Sequence, residues 1–464
     1  MTETLVIGAM VRTLGAHPSG WRQPGAHRDP ARDAEILRHI AREGEDAGLD
    51  YLFFGDWLAT GPDLEFRDPY LLARIDPLSA VLYLAGVTSR IGLIATVNTT
   101  YADPYATARA LASLDLLSGG RAGVNLVTGA EPRAAGNHGR GAHADTETRY
   151  DRAEEFVEAL RRLWDSWDED AWIADAARGV LIDPDGLHAA DLDGAHVRVS
   201  GPLNVARPPQ GRLPLVHAGT SPRSRRLAAT VADLALIAAP TLDDAIATRR
   251  TLHEIAVEAG RSPEELRVIA PVLPVVADTD AEAHRIVERL LALVPLAEGH
   301  QATRPGFPAN RTVAALADAF DVAIDDPLRL SSFDAPVRPA EALRLGERGA
   351  VLIDRVRTIA GVGSATGVPL TWRHLVAAHA VPAAFVVGDA RAITDHVETW
   401  RDEGAADGFN VLSAFQPAQF EAFTRLAVPE LRRRGLLAPP PEADADGRPP
   451  TLRDRLRVSS RVGA

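Results

Sequence analysis

The sequence predicts a (β/α)8 barrel with insertions, and three observations carry that reading. The first is a series of eight apolar, β-branched or aromatic runs: LVIGAM (5–10), YLFFG (51–55), IGLIATV (91–97), AGVNLV (122–127), PLVHA (214–218), LALIAA (234–239), VIAPVLPVVA (268–277) and FNVLSA (409–414). Amphipathic segments separate them, and strands alternating with helices build a parallel sheet that closes into a barrel at eight units. The second is the stretch 91–129, which reads strand, loop, helix, turn, strand. Its first strand ends in Thr96, Asn98 and Thr99, and its second in Asn125 and Thr128. Apolar strands that turn polar at their C-terminal ends make the rim on which a parallel barrel holds its ligand. The third is that no G-x-G-x-x-G follows the first strand, which argues against an open dinucleotide-binding sheet.

The elements follow in order. Segments 31–47, 104–117 and 145–164 have the apolar spacing of surface helices. Residues 165–213 are rich in Asp, Gly and Pro and read as an excursion before strand five, with strand-like pieces GVLID and HVRVS. Residues 296–382 read as a lid-like insertion between strands seven and eight that covers the barrel mouth, with helical pieces such as 339–359. Residues 1–437 therefore form a single barrel domain. Residues 438–464 form a C-terminal extension whose first part, APPPEADADGRPP, has little capacity to pack.

Composition narrows the chemistry. A net charge of -13 disfavours nucleic acid and anionic membranes as partners. No apolar run approaches the roughly 20 residues of a membrane span, and no basic region precedes the first apolar run, so a cytoplasmic protein is expected. The chain has no cysteine, and its 50 basic residues are all arginine. Thiol catalysis, cysteine-ligated metals, lysine Schiff bases and P-loop lysines are thereby excluded. No H-E-x-x-H occurs, and no metal is expected.

Candidate site residues lie at strand ends and helix starts. In HAGTSPRSRRLAA (217–229), Thr220 or Ser221 can cap the following helix and Pro222 suits its first turn. Such an N-terminus, with Arg223, Arg225 and Arg226 nearby, is an anion site; the same residues also make an ordinary capped helix. Asp56 follows strand two and faces the same rim as Thr96, either as a ligand acceptor or as a loop contact. Tyr150 can pack on a planar ligand or on its own helix, with Thr146 one turn earlier on the same face. His17 and His138 are proton-carrier candidates in the loops after strands one and four. Tyr51, Phe53, Phe54, Trp21 and Trp57 are either core or the wall of a flat-ring pocket.

Taken together, ATVNTTYADPYATARALASLDLLSGGRAGVNLVTG (95–129), GNHG (136–139), ETRYDRAEEF (147–156), HAGTSPRSRRLAA, GAADGFNVL (404–412) and VPELRRRGLL (428–437) resemble the nitrilotriacetate/dibenzothiophene-sulfone monooxygenase branch of the bacterial luciferase-like flavoproteins. The resemblance implies a TIM barrel and a two-component monooxygenase. Reduced FMN would come from a separate flavin reductase and, with dioxygen, would oxidise a small organic substrate. By position it implies FMN contacts at Asp56, Thr96, Thr146, Tyr150 and Ser221, and Asn125 matches the asparagine of the strand-four motif. It also implies a homo-oligomer, dimer or tetramer. The chain departs from the family pattern at Asn98, Val124, Gly129, Thr146, His217 and Ser224. The proton donor or base is not assigned. Two rival readings remain: a deazaflavin- or flavin-dependent oxidoreductase that does not use dioxygen, and a non-catalytic flavin-binding barrel.

Overall fold

The structure is a computed structural model that describes residues 4–61, 63–297, 304, 307–322, 333–363, 367–439 and 449–458. Parts of the 296–382 insertion and of the 438–464 extension therefore lie outside the described residues. Eight strands form the barrel: β1 (Val6–Met10), β2 (Tyr51–Phe54), β3 (Gly92–Asn98), β4 (Ala122–Val127), β5 (Leu215–Ala218), β6 (Leu234–Leu236), β7 (Arg267–Val276) and β8 (Gly408–Leu412). Each pairs in parallel with the next, and β8 pairs with β1, so the sheet is closed. The expected eight-stranded barrel is thus present, with every expected run in it.

Local chemistry explains the helices that matter for the site. The expected segments 31–47, 104–117 and 145–164 form α1 (Asp33–Asp46), α2 (Pro104–Ser118) and α3 (Thr146–Trp164). Asp103 caps α2 by accepting from the Ala106 N–H at 2.8 Å, and Gly119, at φ 68°, ends it in the left-handed turn that favours glycine. Asp145 caps α3 through Thr148 N–H at 2.9 Å. Tyr150, Ala153, Val157, Leu160 and Trp164 are buried at helical spacing, which lays one face of α3 on the barrel. Ser221 caps α4 (Pro222–Val231), and Pro222 occupies its first position.

Three features go beyond the sequence expectations. First, β7 is long enough to serve two sheets. Its first part completes the barrel, and Leu273–Val276 pair with an extra parallel strand, Phe385–Gly388. Second, the described part of the insertion has a core of its own. Val356, Trp372 and Leu375 pack against Val287 and Leu290 of the helix Asp280–Ala292 that follows β7, all fully buried. The insertion also reaches the loop after β2, where the Phe307 and Phe66 rings stand 4.6 Å apart. The excursion 165–213 holds two small antiparallel hairpins that include the strand-like pieces.

The third feature corrects an expectation. The chain does not stop contributing to the barrel at residue 437. A short helix, α5 (Leu452–Leu456), folds back under the barrel, and Leu452, Leu456 and Val458 join Val6, Tyr51, Ile94, Val216 and Ile269 in its interior. Leu452 fills space left by glycines: a Cβ at Gly92 would sit 2.4 Å from its Cδ1, and one at Gly123 2.8 Å from its Cδ2. Arg453 pairs with Asp233 at 3.3 Å, and Arg457 donates to the Thr4 carbonyl at 2.6 Å. The Pro- and Asp-rich composition of 438–450 concealed a compact apolar plug a few residues later. Among the described residues, no helix is long and apolar enough to cross a membrane.

Candidate functional site

Two connected cavities of about 590 and 380 Å3 open at the C-terminal ends of the strands. They share Asp56, Trp57, Val127, Ala218, Gly219 and Thr220. The larger lies over the barrel centre, and the smaller extends beside β4 and β5 to the start of α4.

The floor of the larger cavity is polar where strands are otherwise apolar. Asn125 donates from Nδ2 to Thr96 Oγ1 at 2.9 Å, and both residues are buried. That bond fixes which way the amide points and leaves Asn125 Oδ1 buried with no partner. Across the barrel Asn410 of β8 is also buried, and its Oδ1 is unpartnered too. A buried acceptor without a donor costs on the order of 1–3 kcal/mol, and two of them belong to residues that line this cavity, where a donor from a bound molecule or from water would satisfy them. Asn410 went unread in the sequence. Its signal was there, as the one amide in the run FNVLSA.

Asp56 stands at the junction of the two cavities. Its Oδ1 accepts from the Trp57 N–H at 2.7 Å. Burial pushes its carboxyl above the ordinary range, while the neighbouring Trp57 N–H, Arg74 and His138 pull the other way. Trp57 faces both cavities with a buried, unpartnered Nε1. Phe53 lines the larger cavity, Tyr51 is fully buried inside the barrel, Phe54 belongs to the core outside it, and Trp21 is exposed. The aromatic group read from the sequence thus divides between wall and core.

At the far end, Ser221 Oγ accepts the Ser224 N–H at 3.2 Å and lies 3.4 Å from the Tyr150 hydroxyl. Both residues line the smaller cavity. The arginines expected to reinforce this end are partly spent elsewhere: Arg223 pairs with Asp151 at 2.7 Å and also approaches Glu147 and Glu154. The structure does not bring Thr146 to the cavity. It is exposed on the first turn of α3, where it accepts from Arg149 Nη2 at 3.1 Å. Arg149 is buried and holds the loop after β4 in place, donating to the Thr128 and Gly129 carbonyls. A charged residue one position before Tyr150 reads as solvated in sequence, and nothing local marks it as a clamp.

His217 and Ser224, two departures from the family pattern, are bonded to each other. His217 Nε2 lies 2.8 Å from Ser224 Oγ, and its Nδ1 is 2.6 Å from the Leu126 carbonyl. With Nδ1 donating to that carbonyl, Nε2 accepts from the serine, and burial shifts the ring towards its neutral form. His17 is buried beside Ser19 at 2.9 Å, and burial lowers it to about 3. His138 is exposed and stacks on Tyr101 at 4.3 Å. Among the described residues, no cluster of His, Asp and Glu could hold a metal ion.

The luciferase-like monooxygenase family matches residues 10–407. The chain belongs to this family. It is 35% identical over 468 residues to nitrilotriacetate monooxygenase component A of Aminobacter aminovorans, covering 98% of this chain and 96% of that one. It is 34% identical over 447 residues to the dibenzothiophene-sulfone monooxygenase of Rhodococcus erythropolis, covering 94% and 92%. A riboflavin lyase structure with modified FMN and riboflavin aligns with a TM-score of 0.75 at 27% identity, over 98% of this chain and 96% of that one. The luciferase-like resemblance, the barrel and the assignment as a flavin-dependent monooxygenase expected from sequence all hold.

Proposed function

We propose that this enzyme binds reduced FMN, supplied by a separate flavin reductase, and uses dioxygen to oxidise a small organic substrate. The observation that carries the reading is the match between the cleft and that cofactor. A flat, donor-bearing ring fits a floor with two unpartnered amide acceptors, Asn125 Oδ1 and Asn410 Oδ1. A phosphate fits the serine-capped start of α4, with the Tyr150 hydroxyl beside it. The connected cavities give the ring and its phosphate-bearing tail one continuous path between these ends.

In this reading Asn125 and Asn410 accept from ring N–H groups. Thr96 orients Asn125, and Asp56 and Trp57 flank the passage to the tail. Ser221, Tyr150 and the N-terminus of α4 hold the phosphate. Thr146 would contribute only through Arg149. Reduced FMN supplies the electrons and the atom at which dioxygen is activated. The protein holds the ring, excludes water and places the substrate beside it. The described part of the insertion meets the β2 loop at Phe66 and would act as a lid over the mouth.

The test is oxygen consumption by purified protein with FMN, a flavin reductase and NADH, scored by substrate oxidation. Turnover that requires both dioxygen and reductase supports the reading. Substrate oxidation that proceeds equally without dioxygen replaces it with the deazaflavin-type reading. Tight flavin binding with no turnover of any substrate replaces it with the binding-barrel reading.

A further inference from the structure

The mouth carries more arginines than carboxylates. Three of them, Arg12, Arg67 and Arg74, line the larger cavity, against the carboxylates Asp56 and Asp68. Arg12 and Asp68 cancel at 2.7 Å. Among the described residues Arg67 has one ion pair, with Asp63 at 3.0 Å, an exposed pair worth little in water. Asp56 spends its Oδ1 on the Trp57 N–H, and burial raises its carboxyl while Arg74 pulls it back down.

Arg74 is left over. Its guanidinium lies 4.8 Å from the centre of the Tyr70 ring, no carboxylate among the described residues lies within ion-pair distance of it, with Asp68 and Asp56 acting on it only from farther away, and its Nε is buried without a partner. A second arginine is more deeply buried. Arg311, on the insertion, is 1% exposed, and its Nε and Nη1 have no hydrogen-bond partner. Burial and the charge of Arg67 hold its guanidinium down to about 10. Arginine is rarely buried unpaired, because desolvating it is costly unless an anion arrives.

The phosphate does not answer this need. Ser221 follows β5, whereas Arg12 and Arg74 follow β1 and β2, and in the closed order β1 and β5 stand on opposite sides of the barrel. With the tail directed to β5, the arginines face the open part of the mouth, where the substrate must enter.

We propose that the substrate is an organic acid whose carboxylate is received by Arg74, with Arg67 and Arg12 flanking it, which places the oxidised atom over the flavin ring. This inference rests on the FMN-dependent reading above and adds the substrate class to it. The planar guanidinium fork matches a carboxylate and pairs poorly with a neutral ester or alkane, so these residues act in specificity and positioning.

The experiment is calorimetric binding of a probe panel to the full-length protein with and without FMN. The panel consists of benzoate, succinate and iminodiacetate, each against its methyl ester. Wild type is compared with Arg74→Gln, Arg74→Lys and Arg67→Gln, and FMN and riboflavin affinities are measured separately. We expect at least one acid to bind more tightly than its ester. That advantage should fall by about tenfold or more in Arg74→Gln, recover in part in Arg74→Lys, and shrink in Arg67→Gln, with FMN affinity unchanged. Acids that bind no better than their esters, or an acid preference that survives both glutamine variants, overturn the proposal. Loss of FMN but not riboflavin affinity in Arg74→Gln also overturns it, by assigning the arginine to the phosphate. Should Arg74→Gln not fold, Arg67→Gln decides alone. Failure of the FMN reading shows up separately, as wild type that binds acids but no flavin.

Discussion

At the scale of single residues, the site consists of polar atoms placed where folding alone would not want them. Asn410 is buried with its carbonyl oxygen unpaired. Replacing it with leucine removes an unsatisfied acceptor while nearly keeping the volume. We expect Asn410→Leu to leave the thermal midpoint of the ligand-free protein unchanged or raised, and to weaken FMN and riboflavin alike by about tenfold. Calorimetry and a flavin titration check the two halves. Asp50 makes a different point. Burial pushes its carboxyl up to about 6, although it accepts from the Ile7 N–H at 2.8 Å and faces Arg455 and Arg457. Its native value is raised above the unfolded one, so between the two the native state holds a proton that the unfolded chain releases. Asp50 therefore costs stability above about pH 6, and that cost is relieved as the pH falls towards 4. Asp50→Asn should match wild type near pH 4.5 and exceed it by about 1–3 kcal/mol at pH 8, read from denaturant melts at the two values. An advantage independent of pH would contradict the assignment.

At the scale of elements, what was legible in sequence depended on whether a signal was local. The unit β3–α2–β4 was fully readable, because Asp103, Pro104 and Gly119 mark the helix ends and the apolar runs mark the strands. Ser221 as the cap of α4 was readable for the same reason. Arg149 was not, because its partners are carbonyls some 20 residues away. The extra strand Phe385–Gly388 was hidden by its brevity and by the double use of β7. The plug α5 was hidden by the composition just before it, and its worth can be measured. Leu452 is fully buried under the barrel. Leu452→Ala should destabilise the protein by about 2–5 kcal/mol while leaving flavin affinity intact, since the plug lies at the end opposite the cleft. A melt within experimental error of wild type would mean that the tail does not hold the barrel closed in solution.

At the scale of the whole molecule, the barrel gathers Asp56, Thr96, Asn125, Tyr150, Ser221 and Asn410 from the ends of four strands and the starts of two helices onto one continuous cleft. Closure of eight parallel strands explains why residues so far apart in sequence meet: each strand delivers its C-terminal end to the same face. The sequence alone placed five of these six at the rim, because each sits where an apolar run ends or a helix begins. It placed Thr146 there too, on helical periodicity that could not tell the exposed edge of α3 from its buried face. The pairing of His217 with Ser224 and the surplus of arginine at the mouth were out of reach, because each depends on how distant loops pack. The account turns on where the phosphate goes, and an anaerobic titration of reduced FMN and reduced riboflavin into wild type and Ser221→Asp tests it most directly. We predict that wild type prefers FMN, and that the aspartate lowers FMN affinity by at least about tenfold while riboflavin affinity stays the same. Equal loss of both flavins, or no loss of either, would contradict it.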